Sequence, residues 1–434
     1  MQCMESWNEK NVYKIRDYKE PKLAQELESE KLSKEIEPWL TALFQSEHLS
    51  LLVGSGLTSA VHMLVAGNTG AGMDLFDLSI FKNQIDKAMY QSAEKAGRGK
   101  PNIEDQIRVI NELIKGLEIY INTGIRGTKK LNKDLDNLKI EIANGLDNFA
   151  NAVLKAEKNI ISGKEEALEY LMSFLISFAS RSATRERLNL FTINYDRIIE
   201  FGAELSGIRL IDRFLGTINP IFRSSRLDID MHYNPPGIRG EPRYLEGVVQ
   251  FTKLHGSLDW IYQNRNVRRI ALPYGATEIK NYLPNSDSVN SLMIYPNSSK
   301  DRETSEYPYV ELFRDFASSI CRPNSTVVVY GYSFGDEHIN RVIEDMLTIP
   351  SAHLVIISYN DEGNRIQQFY NRVKRPTQIT LLVGNHFGDL KTLVDNYLPK
   401  PAIDKTTLRL TEILKARGFL DQNEFKIDVM ENNL

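Results

Sequence analysis

Three separated stretches of this chain carry side chains suited to a nucleotide sugar and its phosphates. They are the turn Gly54-Ser55-Gly56, the run Thr192-Ile193-Asn194-Tyr195-Asp196, and Lys253-Leu254-His255-Gly256-Ser257. Glycines ahead of a helix let backbone approach a phosphate, and the helix N-terminus adds N–H groups and a favourable dipole. Asn194 offers both a donor and an acceptor, and Asp196 can accept from ribose hydroxyls or backbone N–H groups. His255 is the histidine best placed for proton transfer near neutral pH, because Gly256 and Ser257 open the chain into a loop behind it. Together the three stretches outline a nucleotide site with a base at the sugar.

Each stretch also has a structural reading. Gly-x-Gly describes many tight turns, and the full Gly-x-Gly-x-x-Gly is absent because Ser59 occupies its last position. No acidic residue ends a nearby second strand, so a hydride-transferring Rossmann enzyme matches poorly. Asn194 could shape a turn, and Asp196 could cap a helix over residues 197–205. A lone histidine beside an apolar strand is often a satisfied core residue. Among the others, His338 follows Asp336, which reads as the N-cap of a helix over 337–347. His386 could reach the same rim, His62 sits on the first helix, and His48, His232 and His353 have no chemical company in the sequence.

The elements that must position these residues are legible as six short apolar runs, at residues 49–53, 188–193, 248–254, 326–330, 354–358 and 379–383. Continuous rather than alternating apolar character suits strands covered on both faces. Separated by helical stretches, they predict an α/β fold: a doubly wound, Rossmann-like parallel sheet of about six strands, with ligands beyond the carboxyl ends. Ile103, Ile107, Ile110, Leu113, Leu117 and Ile121 recur at helical spacing, as do Leu131, Leu135, Leu138, Ile142, Leu146, Phe149 and Val153. A third helix is predicted over 165–180, and Gly124-Ile125-Arg126-Gly127-Thr128 reads as the turn between the first two. These helices form a large insertion at about 84–186, which packs within the domain or serves self-association. Residues 1–47 read as an N-terminal helical segment, 48–399 as the nucleotide-binding domain, and 400–434 as a C-terminal helix and tail. Residues 213–243, with the turn signal Asn234-Pro235-Pro236-Gly237, read as an irregular flap over the site.

Composition excludes several classes. Charged residues make up 25% and hydrophobic residues 42%, which is ordinary for a soluble globular protein. A net charge of −4 gives no reason to expect direct nucleic acid binding. The polar N-terminus lacks a signal-peptide core and no apolar run is long enough to span a membrane, so a cytoplasmic protein is expected. The only cysteines are Cys3 and Cys321, which excludes a disulfide framework and a four-cysteine zinc site; no metal is expected.

The ordered set of strand-Gly-Ser-Gly, Thr-x-Asn-x-Asp, Leu-His-Gly and Gly331-Tyr332-Ser333 resembles the NAD-binding core of sirtuins, over roughly residues 45–80 and 185–390. The departures narrow the resemblance. Sirtuin deacylases carry a four-cysteine zinc module, Ile193 stands where the family has glutamine, and Asn194 lies much further from His255 than in deacylases. The chain is more similar to the sirtuin-like proteins of bacterial antiphage defence, as are Met293-Ile294-Tyr295-Pro296 with Lys300, and Gly331-Tyr332-Ser333-Phe334-Gly335-Asp336. That resemblance implies an NAD hydrolase releasing nicotinamide and ADP-ribose, as an NAD-depleting effector. Asn194 would orient the ribose and water, and His255 would act as base. NAD, the substrate, would be held by Gly54, Ser55, Gly56, Thr58, Asp196, Gly331, Ser333 and Asn360, with Ser333 and Asn360 near the adenosine ribose. Because uncontrolled NAD loss would be toxic, a low-activity resting state is expected, and the resemblance implies a homo-oligomer and a partner such as a HerA-type ATPase, a short Argonaute or another defence protein. The alternatives are a non-catalytic NAD or ADP-ribose sensor in a larger assembly and an NAD-dependent protein deacylase.

Overall fold

A computed structural model of the protein describes residues 6–16, 18, 20–24, 29–68, 75–95, 101–123, 128–181, 185–225, 230–233, 243–284, 292 and 307–400. Its centre is a nine-stranded sheet. In chain order the strands are β1 (Val12–Lys14), β2 (Lys22–Leu23), β3 (His48–Val53), β4 (Asn189–Thr192), β5 (Arg209–Ile211), β6 (Val248–Lys253), β7 (Ser325–Tyr330), β8 (His353–Ser358) and β9 (Ile379–Val383). Across the sheet they run β2-β1-β9-β8-β7-β3-β4-β6-β5. All pairings from β9 to β5 are parallel. The six expected strands thus lie in the doubly wound order, stepping one way from β3 to β4 and β6 and the other way from β7 to β9. The order reverses between β3 and β7, the place where such sheets open a ligand crevice.

The apolar runs are continuous because helices cover both faces. Leu49, Leu51 and Val53 point into one core with α1 (Ser29–Phe44), α2 (Ser55–Ala66), α6 (Glu165–Ala179) and α7 (Ile198–Leu205). Leu52, Val327 and Val329 point into the other, with α8 (Tyr309–Ile320), α9 (Glu337–Leu347) and α10 (Arg365–Val373). Burying each such side chain contributes roughly 1.5–3 kcal/mol, which makes this sheet a rigid platform for the loops at its carboxyl edge.

Among the described residues of 1–47, two short strands precede the helix α1. These are β1 and β2, and β1 pairs antiparallel with β9. A three-residue strand is too short to show periodicity.

The insertion consists of α3 (Lys82–Lys95), α4 (Ile103–Asn122) and α5 (Lys129–Ile161). A capping box starts α4: Asp105 N–H donates to the Asn102 side chain at 3.1 Å, and Asn102 N–H donates back to the Asp105 carboxylate at 3.1 Å. Ile107, Ile110, Leu138, Ile142 and Leu146 form a third core with Tyr195 and Leu258, so the insertion packs directly on the loops that follow β4 and β6. The helix α6 returns to the sheet through Leu171, Phe174 and Phe178.

The described part of 213–243 is irregular apart from short paired strands. Phe214–Leu215 and Ile221–Phe222 pair with each other and extend a hairpin of Trp260–Gln263 and Asn266–Arg269, while His232–Tyr233 pairs with Arg243–Tyr244. Phe214 packs on Phe222 and Trp260 with ring centroids 5.6 and 4.8 Å apart. The residues Gly124 to Gly127, Asn234-Pro235-Pro236-Gly237, Met293 to Pro296, Lys300 and 401–434 lie outside the described residues. No helix among the described residues is long and apolar enough to cross a membrane.

Candidate functional site

At the switch point the loops leaving β3 and β7 touch. Gly54 N–H donates to the Tyr330 carbonyl and Gly56 N–H to the Gly331 carbonyl, each at 3.0 Å. A Cβ on Gly54 would lie 2.4 Å from the Gly331 oxygen, and one on Gly56 would lie 2.5 Å from the Gly331 Cα. Gly331 itself sits at φ +62°. These glycines therefore serve a backbone contact between two strand ends. Gly56 N–H and Leu57 N–H, which donates to the Gly54 carbonyl, are already engaged within the turn. Ser55 is exposed at the start of α2 and lines a cavity of about 350 Å³.

Asn194 follows β4, which lies beside β3, and is buried at 6% exposure. Its Nδ2 donates to the Gly54 carbonyl at 3.0 Å and to the Thr58 hydroxyl at 3.2 Å. A carbonyl can only accept, so the amide's orientation is set by chemistry. Both amide hydrogens are spent on the scaffold, and Oδ1 is the atom left for the cavity. Thr58 in turn donates to Asp196 Oδ2 at 2.8 Å, and Asp196 Oδ1 accepts from Ile198 N–H at 3.2 Å. Asp196 therefore braces Asn194 through Thr58 and also holds the start of α7, as the capping role weighed for it requires.

Further contacts fix the Asn194 loop. Lys253 Nζ donates to the Asp196 carbonyl and pairs with Glu200 at 3.0 Å. Arg197 forms a buried ion pair with Glu157 of α5 at 2.6 Å, and Glu157 also accepts from Arg197 N–H at 2.9 Å. Burial pushes the Glu157 carboxyl above its usual range, against the pull of the Arg197 guanidinium. Tyr195 reaches Glu104 of α4 at 3.5 Å.

His255 extends β6 into the same rim and is 8% exposed. Its Nε2 lies 3.4 Å from the Nε2 of His338 on α9, with the rings nearly stacked at 5.5 Å. A hydrogen bond between them needs one imidazole as donor and the other as acceptor. His338, read in sequence only beside a capping aspartate, is thus a partner of the candidate base. Asp336 occupies the N-cap position of α9 but makes no side-chain cap bond; it lines the cavity instead.

The cavity gathers Ser55, Thr58, Asn194, Asp196, His255 and Ser333 from the predicted set. Gly54, Gly56 and Gly331 lie behind its wall. Asn360 is exposed beyond β8, its carbonyl accepting from Ser358 at 2.8 Å, and is not part of the wall. The cavity also includes His62, placed by the sequence only on the first helix, and Glu104 and Arg365, which sequence reasoning missed. Arg365 opens α10 and reaches Ser333 at 3.5 Å. A Cβ on Gly335 would lie 2.9 Å from that guanidinium, so the glycine makes room for it. The capped helix start at Asn102 was the available signal for Glu104, and Gly335 with Asp361 for Arg365: Asp361 accepts from Ile366 and Gln367 N–H at 2.8 and 3.1 Å and fixes the turn that presents Arg365.

Among the described residues no group of three or more His, Cys, Asp or Glu could hold a metal ion. The cavity offers a guanidinium, hydroxyls and imidazoles, with an amide oxygen and carboxylates as acceptors, which suits a polar organic substrate carrying phosphate and sugar hydroxyls. No curated protein matches the chain. Residues 188–375, which include Asn194, His255, Ser333 and Arg365, match the SIR2-like domain family, and over that span the chain is sirtuin-like.

Proposed function

We propose that the protein hydrolyses NAD at the nicotinamide–ribose bond, releasing nicotinamide and ADP-ribose. The observation that carries this reading is the convergence of Asn194, held through Gly54 and Thr58, with His255 on one cavity beside Arg365. The SIR2-like match is consistent with a protein that uses NAD. A volume of about 350 Å³ falls within the usual range for small-molecule sites.

The bond breaks with its electron pair leaving on nicotinamide, so positive charge develops on the ribose. Asn194 Oδ1 is a fixed dipole end that can accept from a ribose hydroxyl or the attacking water. Water adds to the sugar carbon, and its proton passes to the His255–His338 pair. Arg365 suits the pyrophosphate, since a guanidinium matches phosphate oxygens in geometry and charge. Positioning and proton transfer together supply the rate enhancement.

By its resemblance to the defence proteins, the enzyme serves as an NAD-depleting antiphage effector that rests in a low-activity state and is controlled by assembly, as a homo-oligomer or with a HerA-type ATPase. The contacts Arg197–Glu157 and Tyr195–Glu104 support such control, because they tie the insertion to both sides of Asp196, just after Asn194. The test is to incubate the full-length protein with NAD, alone and with the product of its genomic neighbour, and follow nicotinamide. Release in at least one assembly state is expected; none in any state overturns the reading.

A further inference from the structure

The cavity is built from two parts of the chain. The sirtuin-like span supplies Asn194, His255, Ser333 and Arg365. The insertion supplies the rest of the wall discussed below: Phe149, Ala152, Val153 and Ala156 from α5, and Glu104 from α4. These five residues all lie outside the matched span of 188–375.

Glu104 is 6% exposed, a depth that glutamate seldom reaches. Ile103 and Ile107 are buried with Tyr195 and Leu258 and seat the start of α4. The capping box of Asn102 and Asp105 fixes where its first turn begins. The Tyr195 ring lies 6.4 Å from the His255 ring, and its hydroxyl reaches Glu104 at 3.5 Å. One tyrosine, directly after Asn194, thus ties the position of the carboxylate to that of the candidate base. Among the described residues, two other carboxylates line the cavity. Asp196 holds the scaffold, with one oxygen on the Thr58 hydroxyl and the other on Ile198 N–H. Asp336 follows Gly335, which makes room for the Arg365 guanidinium, and so belongs to the phosphate end. Glu104 is the carboxylate at the sugar end, with Asn194 and His255.

We infer that the insertion completes the active site, with Glu104 placing negative charge beside the ribose carbon that is attacked. The inference rests on the NAD reading. The carbon–nitrogen bond breaks with its electron pair on nicotinamide, so positive charge moves from the nicotinamide ring onto the sugar. Water oxygen bonds the carbon, and the water proton passes to the His255–His338 pair. Glu104 forms no bond and takes no proton. Its charge is worth more once the sugar is cationic than in the bound substrate, so it speeds the step without tightening substrate binding. A shift of α4 would withdraw that charge and leave Asn194 and His255 where they are.

The test is nicotinamide release by full-length Glu104→Gln, in the assembly state in which the wild type is active. The substitution keeps the size of the side chain and removes its charge. With folding checked by circular dichroism, kcat should fall about tenfold or more while KM stays within about threefold. ADP-ribose has no nicotinamide bond to break, and isothermal titration should show it binding the variant and the wild type alike. Should Glu104→Gln not fold, Glu104→Ala opens room at the same position, and added formate should restore part of its kcat. Wild-type kcat in folded Glu104→Gln, a loss of ADP-ribose affinity as large as the loss of kcat, or no effect of formate on folded Glu104→Ala overturns the inference and leaves the NAD reading standing. No nicotinamide from the wild type in any assembly state overturns both.

Discussion

The side-chain amide of Asn194 donates to the Gly54 carbonyl at 3.0 Å and so joins the ends of two neighbouring parallel strands. The bond does more than brace a loop. It settles which end of the amide faces the cavity, and the second donated bond, to Thr58, passes the constraint on to Asp196.

Thr58→Val keeps the shape of the side chain and removes both hydroxyl bonds. A loss of about 1–2 kcal/mol in urea denaturation is expected. In an NAD cleavage assay kcat should fall more than KM changes, because Asn194 loses its orientation rather than the substrate its contacts. Thr58→Ser, which keeps the hydroxyl, should restore most of the rate.

Gly331→Ala should destabilise the fold by about 2–4 kcal/mol, combining a strained left-handed backbone with overpacking. The added Cβ would lie 2.6 Å from the Gly56 Cα. Thermal unfolding checks this; an unshifted midpoint would mean the two loops separate freely.

Glu157→Ala leaves the Arg197 guanidinium buried opposite a cavity. Breaking one partner of a buried pair costs about 3–5 kcal/mol. Because Glu157 also receives the Arg197 backbone N–H, the variant should loosen the Asn194 loop as well. Faster amide hydrogen exchange in residues 194–198 than in β7 would report it.

Acid should weaken the fold through His353. Burial, and next the nearby Lys14 charge, lower its pKa to about 4. The unfolded chain takes up this proton near pH 6.5, whereas the folded protein resists until about 4. Its contribution is therefore intact above about pH 6.5 and is lost as pH falls toward 4, by at most about 3 kcal/mol. Comparing stability across pH 8 to 4, the wild type should lose more than His353→Gln; equal slopes would remove His353 from the acid response.

The sheet was legible because parallel strands buried on both faces read as apolar runs, and Leu49, Leu51 and Leu52 reach both cores. The helix α3 was not, since Lys82 to Lys95 buries little beyond Ile85, Met89 and Ala93. At the site, residues at strand ends such as Asn194 and His255 could be placed by topology alone. Glu104, His338 and Arg365 could not: each sits in the first turn of a helix, and only the packing of that helix aims it at the rim. The glycines show the opposite limit. Their spacing suggested a phosphate turn, but the backbone contact between Gly56 and Gly331 joins residues far apart in sequence and could not be read from it.

The most direct test of the account is nicotinamide release from NAD by the full-length protein, in the presence of its genomic neighbour, compared with Asn194→Ala and His255→Ala. The account predicts release by the wild type, with ADP-ribose in equal amount, and a fall of about a hundredfold or more in each folded variant. Release at the wild-type rate by either variant, or none by the wild type in any assembly state, would contradict it.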